Sequence, residues 1–233
     1  MANKIVLVRR GSTAGMEFPL DVDTGTDLRG ICVEKDGSFW VTIDTGDVVA
    51  HYRLDSQANA AREISSDRFQ VVGGTVTGIW GITTDGLYLY VAFHALRSGT
   101  HRNRISYRLK SGSESEFIET DVAPADAGNR FKGLCWDGAN IGFIYRVLTG
   151  PISRFKMTRK RQFAAIDNIS LGDGLPSGLV MDKDGTFWTV GSDNVIKHWN
   201  KSAVQIESFT LTNSGTAQDF CDAGGGYFAV AMI

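Results

Sequence analysis

Five times along the chain a small residue or Asp precedes a large apolar residue, a few further positions, a tight Asp-Gly or Gly-Gly turn, and an aromatic-rich apolar run. The first copies run Gly30-Ile31-Cys32 to Asp36-Gly37 to Phe39-Trp40-Val41, and Gly81-Ile82-Thr83 to Asp85-Gly86 to Tyr88-Leu89-Tyr90-Val91. A third runs Gly133-Leu134-Cys135 to Asp137-Gly138 to Ile141. The last two run Gly178-Leu179-Val180 to Asp184-Gly185 to Phe187-Trp188-Thr189-Val190, and Asp219-Phe220-Cys221 to Gly224-Gly225 to Tyr227-Phe228-Ala229-Val230. Each unit predicts two strands joined by a tight turn. In the full copies a third run follows, in which an apolar residue precedes a polar one: Tyr52-Arg53, Tyr107-Arg108, Phe155-Lys156 and Trp199-Asn200. A fourth closes each copy at Arg62-Glu63-Ile64, Glu116-Phe117-Ile118, Ala164-Ala165-Ile166 and Ile206-Glu207-Ser208-Phe209. Repeated four-stranded units of this length predict the blades of a β-propeller, which bury their faces only against one another.

Spacing sets the expected number of blades. From position 30 the anchors step by 51, 52, 45 and 41 residues to position 219, and 44 more lead through the two termini back to position 30. The whole chain is used, so the expectation is an all-β, five-bladed β-propeller in one domain over residues 1–233. Its blades fall roughly at 28–68, 78–121, 130–171 and 176–212, with the fifth made of 217–233 plus 3–20. Ile5-Val6-Leu7-Val8-Arg9 and Met16-Glu17-Phe18 supply the third and fourth runs that the last copy lacks. Such closure by N-terminal strands removes open sheet edges.

Composition agrees with a single body. The chain has 233 residues, 42% of them hydrophobic, with 27 Gly and only 4 Pro, as tight turns rather than disorder require. No apolar run has the length of a membrane span, and Ile5 to Val8 is too short for the core of a signal peptide. A cytoplasmic or particle-associated location is expected. The net charge of −2 makes nucleic acid an unlikely partner. Cys32, Cys135 and Cys221 each stand two positions after an anchor, as small packed thiols would. Their odd number and wide spacing predict neither disulfide nor metal site.

Gly191-Ser192-Asp193-Asn194-Val195-Ile196-Lys197-His198-Trp199-Asn200 resembles the ending of a WD40 blade, with Asn200 where that motif has Asp. The chain is thus similar to the repeat-propeller superfamily of WD40 and NHL proteins. That resemblance implies a propeller architecture and a rigid binding platform.

Motifs for nucleophilic, phosphate-binding, dinucleotide-binding and zinc-dependent chemistry are missing, and no cofactor is expected. Candidate chemistry lies instead where the innermost strands begin. Arg29, Trp80, Lys132, Ser177 and Gln218 precede the anchors, and with Asp219 they are expected to ring one axial opening able to grip an acidic or sugar-like group. A second candidate is the long connection holding His94, Arg97, His101, Arg102 and Arg104, expected to stand proud of the same face and contact a partner. Arg154 to Arg161 forms a basic run whose turn falls on the other face. Asp21 to Asp27 alternates acids as a calcium loop does but lacks its closing Glu. His51 and His198 occupy equivalent places on two blades and read as packed or rim residues.

With no catalytic motif, the expected function is a non-enzymatic binding or assembly module with a protein partner, such as a subunit of a larger particle. A glycan-recognising or viral host-attachment propeller is one alternative, and a lactonase- or glycosidase-like hydrolase the other.

Overall fold

A computed structural model describes residues 3–21, 27–64, 67–71, 75–111, 115–119, 131–139, 141–145, 152–159, 162–169 and 176–233. The first strands are β1 (Lys4–Arg9), β2 (Met16–Pro19), β3 (Leu28–Val33), β4 (Phe39–Ile43), β5 (Val48–Asp55), β6 (Ala60–Glu63) and β7 (Phe69–Gln70). Next come β8 (Thr75–Thr84), β9 (Tyr88–Arg97), β10 (Thr100–Leu109) and β11 (Ser115–Glu119). The following four are β12 (Phe131–Trp136), β13 (Ile141–Tyr145), β14 (Ile152–Arg159) and β15 (Gln162–Ile169). The chain continues through β16 (Pro176–Met181), β17 (Phe187–Gly191), β18 (Val195–Trp199), β19 (Gln205–Thr210), β20 (Ala217–Gly224) and β21 (Tyr227–Met232). Among the described residues no helix is long and apolar enough to cross a membrane.

The strands form antiparallel sheets in the orders β3-β4-β5-β6, β8-β9-β10-β11, β12-β13-β14-β15 and β16-β17-β18-β19, while β7 pairs with β5. A further sheet has the order β2-β1-β21-β20, with Val6 opposite Val230 and Val8 opposite Phe228. This is an all-β chain in a propeller arrangement. Innermost strands β3, β8, β12, β16 and β20 contact one another in sequence, and β20 also contacts β3.

Burial falls from the inside outward, because each sheet is covered on both faces only near the axis. All five residues of β4 are buried, whereas outermost β19 is almost wholly exposed. One apolar cluster joins Ile5, Ala229 and Ala231 to Ile31, Phe39, Val41 and Tyr52 of the neighbouring sheet. Another joins Val6, Phe220 and Phe228 to Val180, Trp188 and Val190 on the other side. Burying each such side chain contributes about 1.5–3 kcal/mol. Cys32 and Cys135 lie inside, and burial pushes both thiols up from their ordinary range. In the stretch that resembles a WD40 ending, Asn200 Oδ1 accepts from the N–H groups of Ser202 and Val204 at 2.9 and 3.0 Å, closing the turn after β18.

At the axis the strands approach so closely that side chains have no room. A Cβ on Gly30 would strike the carbonyl oxygen of Trp80, and one on Gly81 would come within 2.5 Å of Leu134 N. A Cβ on Gly133 would meet Leu179 N at 2.8 Å, and one on Gly178 would meet Phe220 N at 2.9 Å. Each glycine is set against the backbone of the next inner strand. Asp219 takes the corresponding place on β20, and its carboxyl accepts from Phe220 N–H at 2.9 Å and from Ile31 N–H at 3.4 Å. The contacts therefore pass from β3 through β8, β12 and β16 to β20, and return to β3.

Because the obstruction at Gly133 is backbone, Gly133→Ala is expected to cost about 3 kcal/mol or more. Equilibrium urea unfolding measures this cost, and an unchanged midpoint would contradict the axial packing.

Candidate functional site

Every inner strand carries a register irregularity at its entry. Leu28 and Gly30 oppose the adjacent residues Ile43 and Thr42, so Arg29 is the extra residue of a β-bulge. Ser177 is extra between Pro176 and Gly178, and Gln218 between Ala217 and Asp219. The shift lies between Ile79 and Ile82 around Trp80, and between Phe131 and Leu134 around Lys132. A bulge re-aims a side chain out of the alternation of the strand. The residues preceding the anchors are thus released from the sheet faces together.

Three of them converge. Lys132 Nζ stands 3.3 Å from the centre of the Trp80 ring, and Arg29 Cζ stands 4.8 Å from it. Arg29 also donates to Gln218 Oε1 at 3.2 Å, to Asp27 Oδ2 at 2.8 Å and to Asp44 Oδ2 at 3.3 Å. Asp44 lies in the turn between β4 and β5, and its other oxygen accepts from Ile79 N–H at 3.1 Å. It therefore ties one blade's turn to the next blade's inner strand beside the indole. Ser177 Oγ sits apart, donating to the carbonyls of Val190 and Ala217 at 3.2 and 3.4 Å.

Asp219 departs from the expectation of a rim group. It is 0% exposed, beneath the opening, with its oxygens turned to backbone N–H groups. Burial pushes its carboxyl well above the ordinary aspartate value.

The connection expected as a prominent loop is instead a strand extension. Ser98 and Gly99 form a two-residue turn with φ of 50° and 76°, the positive pair that a tight hairpin requires. Polar composition suggested a loop, but β8 is long enough to pair with β9 up to Thr75, so these residues are sheet. His94 and Arg104 are buried, which removes them from a contact surface. Thr77 Oγ1 lies 2.9 Å from His94 Nδ1 and donates to the His94 carbonyl. Arg102 is exposed, whereas the side chains of Arg97 and His101 lie outside the described residues. Residues 22–26 of the alternating acidic segment also lie outside them, as do the side chains of the basic run from Arg154 to Arg161.

Sequence reading did not foresee the constellation at the other end of β3. A cavity of about 400 Å³ is lined by Glu34, Ser38, Trp40, His51, Asp67 and Lys110, among others. His51 Nδ1 lies 2.7 Å from Asp67 Oδ2, and His51 Nε2 lies 2.9 Å from Ser38 Oγ. The distances suit a Ser-His-Asp triad, but Ser38 Oγ also donates to Asp36 Oδ1 at 2.6 Å. The imidazole stacks flat on Trp40 at 4.1 Å. Much the same set recurs three sheets on, where His198 stacks on Trp188 at 3.9 Å, Thr186 donates to Asp184, and Glu207 faces His198. Recurrence with Thr for Ser identifies a packing device of the blade, in which a cross-strand Trp-His pair is held by carboxylates. The signal in the sequence was the shared spacing of Asp36, Ser38 and Trp40 with Asp184, Thr186 and Trp188, followed by a His eleven residues after the first Trp and ten after the second.

Among the described residues no three His, Cys, Asp or Glu side chains form a metal-ligating group.

No protein-family model matches the chain, and no curated protein does. Solved structures do share its fold. A gluconolactonase from Xanthomonas campestris matches with 14% identity over 92% of this chain and 74% of its own, at a TM-score of 0.56. A candidate gluconolactonase matches with 12% identity over 94% of this chain and 78% of its own, at 0.61. PQQ-bound aldose sugar dehydrogenase from Streptomyces coelicolor matches with 11% identity over 98% of both chains, at 0.51. At such identities the likeness is one of fold, that of a β-propeller. The expectation of a non-enzymatic binding or assembly module is corrected on this finding, since two of the three propellers named are gluconolactonases, one of them a candidate, and the third is a sugar dehydrogenase.

Asp219 makes stability depend on pH with a definite sign. An acid whose value is raised in the folded state holds its proton more tightly there, so its contribution is complete below the unfolded value of about 3.8. That contribution is lost as pH rises from there through the raised folded value. Asp219→Asn is expected to lack this loss when melting temperature is followed against pH. Parallel curves for the two proteins would show that Asp219 does not titrate as described.

Proposed function

We propose that this chain is a hydrolase of lactone-type cyclic esters, working at the axial opening of a five-bladed propeller whose fifth blade is β20 and β21 completed by β1 and β2. The observation that carries this reading is the convergence of Arg29 and Lys132 on Trp80. Two cations beside one opening suit a reaction in which negative charge develops on a carbonyl oxygen. The gluconolactonase descriptions of fold neighbours support the same class of substrate.

In this scheme water adds to the lactone carbonyl carbon while Asp27, exposed and 2.8 Å from Arg29, takes the proton that water gives up. Arg29 and Lys132 oppose the charge on the carbonyl oxygen. The ring C–O bond then breaks as its oxygen takes that proton back from Asp27, and the product is the open hydroxy acid. Gln218 holds Arg29 in place through its amide oxygen.

Proton release at constant pH from D-gluconolactone measures the activity. Lys132→Ala and Arg29→Ala are each expected to lower kcat/KM about a hundredfold. Ser38→Ala is expected to leave it unchanged, since the underside cavity takes no part. No rate above spontaneous hydrolysis would overturn the proposal, and so would a rate lost in Ser38→Ala and kept in Lys132→Ala.

A further inference from the structure

Gly78 stands in the interior of β8, where glycine weakens a strand, and the reason that explains the axial glycines does not apply to it. A Cβ there would meet no backbone. Its nearest neighbours would be Asp44 Oδ1 at 3.4 Å and Trp80 Nε1 at 3.5 Å, ordinary van der Waals separations, and its φ lies outside the left-handed region. Alanine would fit without strain. The absent methyl instead leaves a niche floored by Gly78, with a carboxylate acceptor on one side and an indole donor on the other.

The donor gives the niche its chemistry. Trp80 is only 8% exposed, and among the described residues its buried Nε1–H has no hydrogen-bond partner. Arg29 Nε, on the guanidinium that lies over the same ring, is a second buried donor in the same state. A buried donor left unsatisfied is costly, and both belong to the rim that Asp44 joins together. The group that completes the set must accept from an N–H and donate to a carboxylate. A hydroxyl does both. A carboxylate would be repelled by Asp44, and an ammonium group cannot accept from Trp80.

We infer that the niche over Gly78 is a hydroxyl subsite, where a substrate hydroxyl accepts from Trp80 Nε1 and donates to Asp44 Oδ1. The inference rests on the axial opening being the working site and adds what the substrate carries there: at least one hydroxyl beside its reacting carbonyl.

The test compares calorimetric binding of two neutral lactams, which the protein does not consume: the lactam of gluconic acid and δ-valerolactam, a similar ring without hydroxyls. The wild-type chain is expected to prefer the hydroxylated ring by about tenfold or more. Gly78→Ala, whose methyl fills the niche, is expected to remove that preference while its melting temperature stays the same or rises. Trp80→Phe, which keeps an aromatic ring and loses the N–H, is expected to do likewise. A preference undiminished in Gly78→Ala overturns the subsite, as does equal or absent binding of the two lactams by the wild type. Lactone hydrolysis by the wild type and Gly78→Ala at equal rates, without a lactam preference, removes the subsite and keeps the hydrolase. A preference lost in Gly78→Ala, together with no hydrolysis of any lactone, keeps the subsite and removes the hydrolase.

Discussion

Close approach of backbone to backbone at the axis is the constraint on which the remaining structure depends. Gly30, Gly81, Gly133 and Gly178 each leave out the one atom that would collide with the neighbouring inner strand. At the remaining position Asp219 gives the contact a different form, with a carboxyl reaching Phe220 N–H and Ile31 N–H. The inner strands can then lie side by side, and apolar faces of successive sheets meet. Burial of a carboxyl there is a local cost, which two hydrogen bonds from backbone donors lessen. Such a centre tolerates little change in volume, because backbone cannot rotate out of the way as a side chain can.

The same packing sets the chemistry of the opening. Strands held this tightly cannot present an ordinary in-out alternation at their entry, and each shifts register where the rim residue lies. Arg29, Trp80 and Lys132 are brought together by these shifts from three separate sheets. Asp44 and Gln218 then hold the guanidinium from either side. Charge at the rim is therefore positioned by backbone geometry rather than by a flexible loop. Underneath, the stacked pairs Trp40-His51 and Trp188-His198 join the second and third strands of their two sheets.

Much of the architecture was legible because strands and tight turns leave local marks. Asp-Gly and Gly-Gly turns placed the hairpins, and alternating aromatic runs placed the second strands of each sheet. The anchors stood out because four of the five are glycine, and the residue before each proved to be where the strand shifts register. What stayed hidden depended on partners distant in sequence. Arg29 meets Gln218 across 189 positions, and nothing local marks that pairing. Asp219 looked like a rim acid because it stands at the fifth anchor, beside Gln218, yet its position on β20 turns it inward. His94 and Arg104 looked like loop residues because Arg, His, Ser and Gly surround them. The length of β8 makes them sheet, and that length is visible only once Thr75 is seen to pair with Leu96. Function was the least legible, since no short motif records a site assembled from the entries of separate strands.

Hydrogen exchange of individual backbone amides addresses the axial packing most directly. The Ile31 and Phe220 N–H groups, both bonded to the buried Asp219 carboxyl, should exchange only through global unfolding, with the same free energy as each other and as unfolding in denaturant. Exchange of either one at the rate of the exposed outer strand β19 would mean that the inner strands are not locked at the axis, and the account of both fold and site would fail with it.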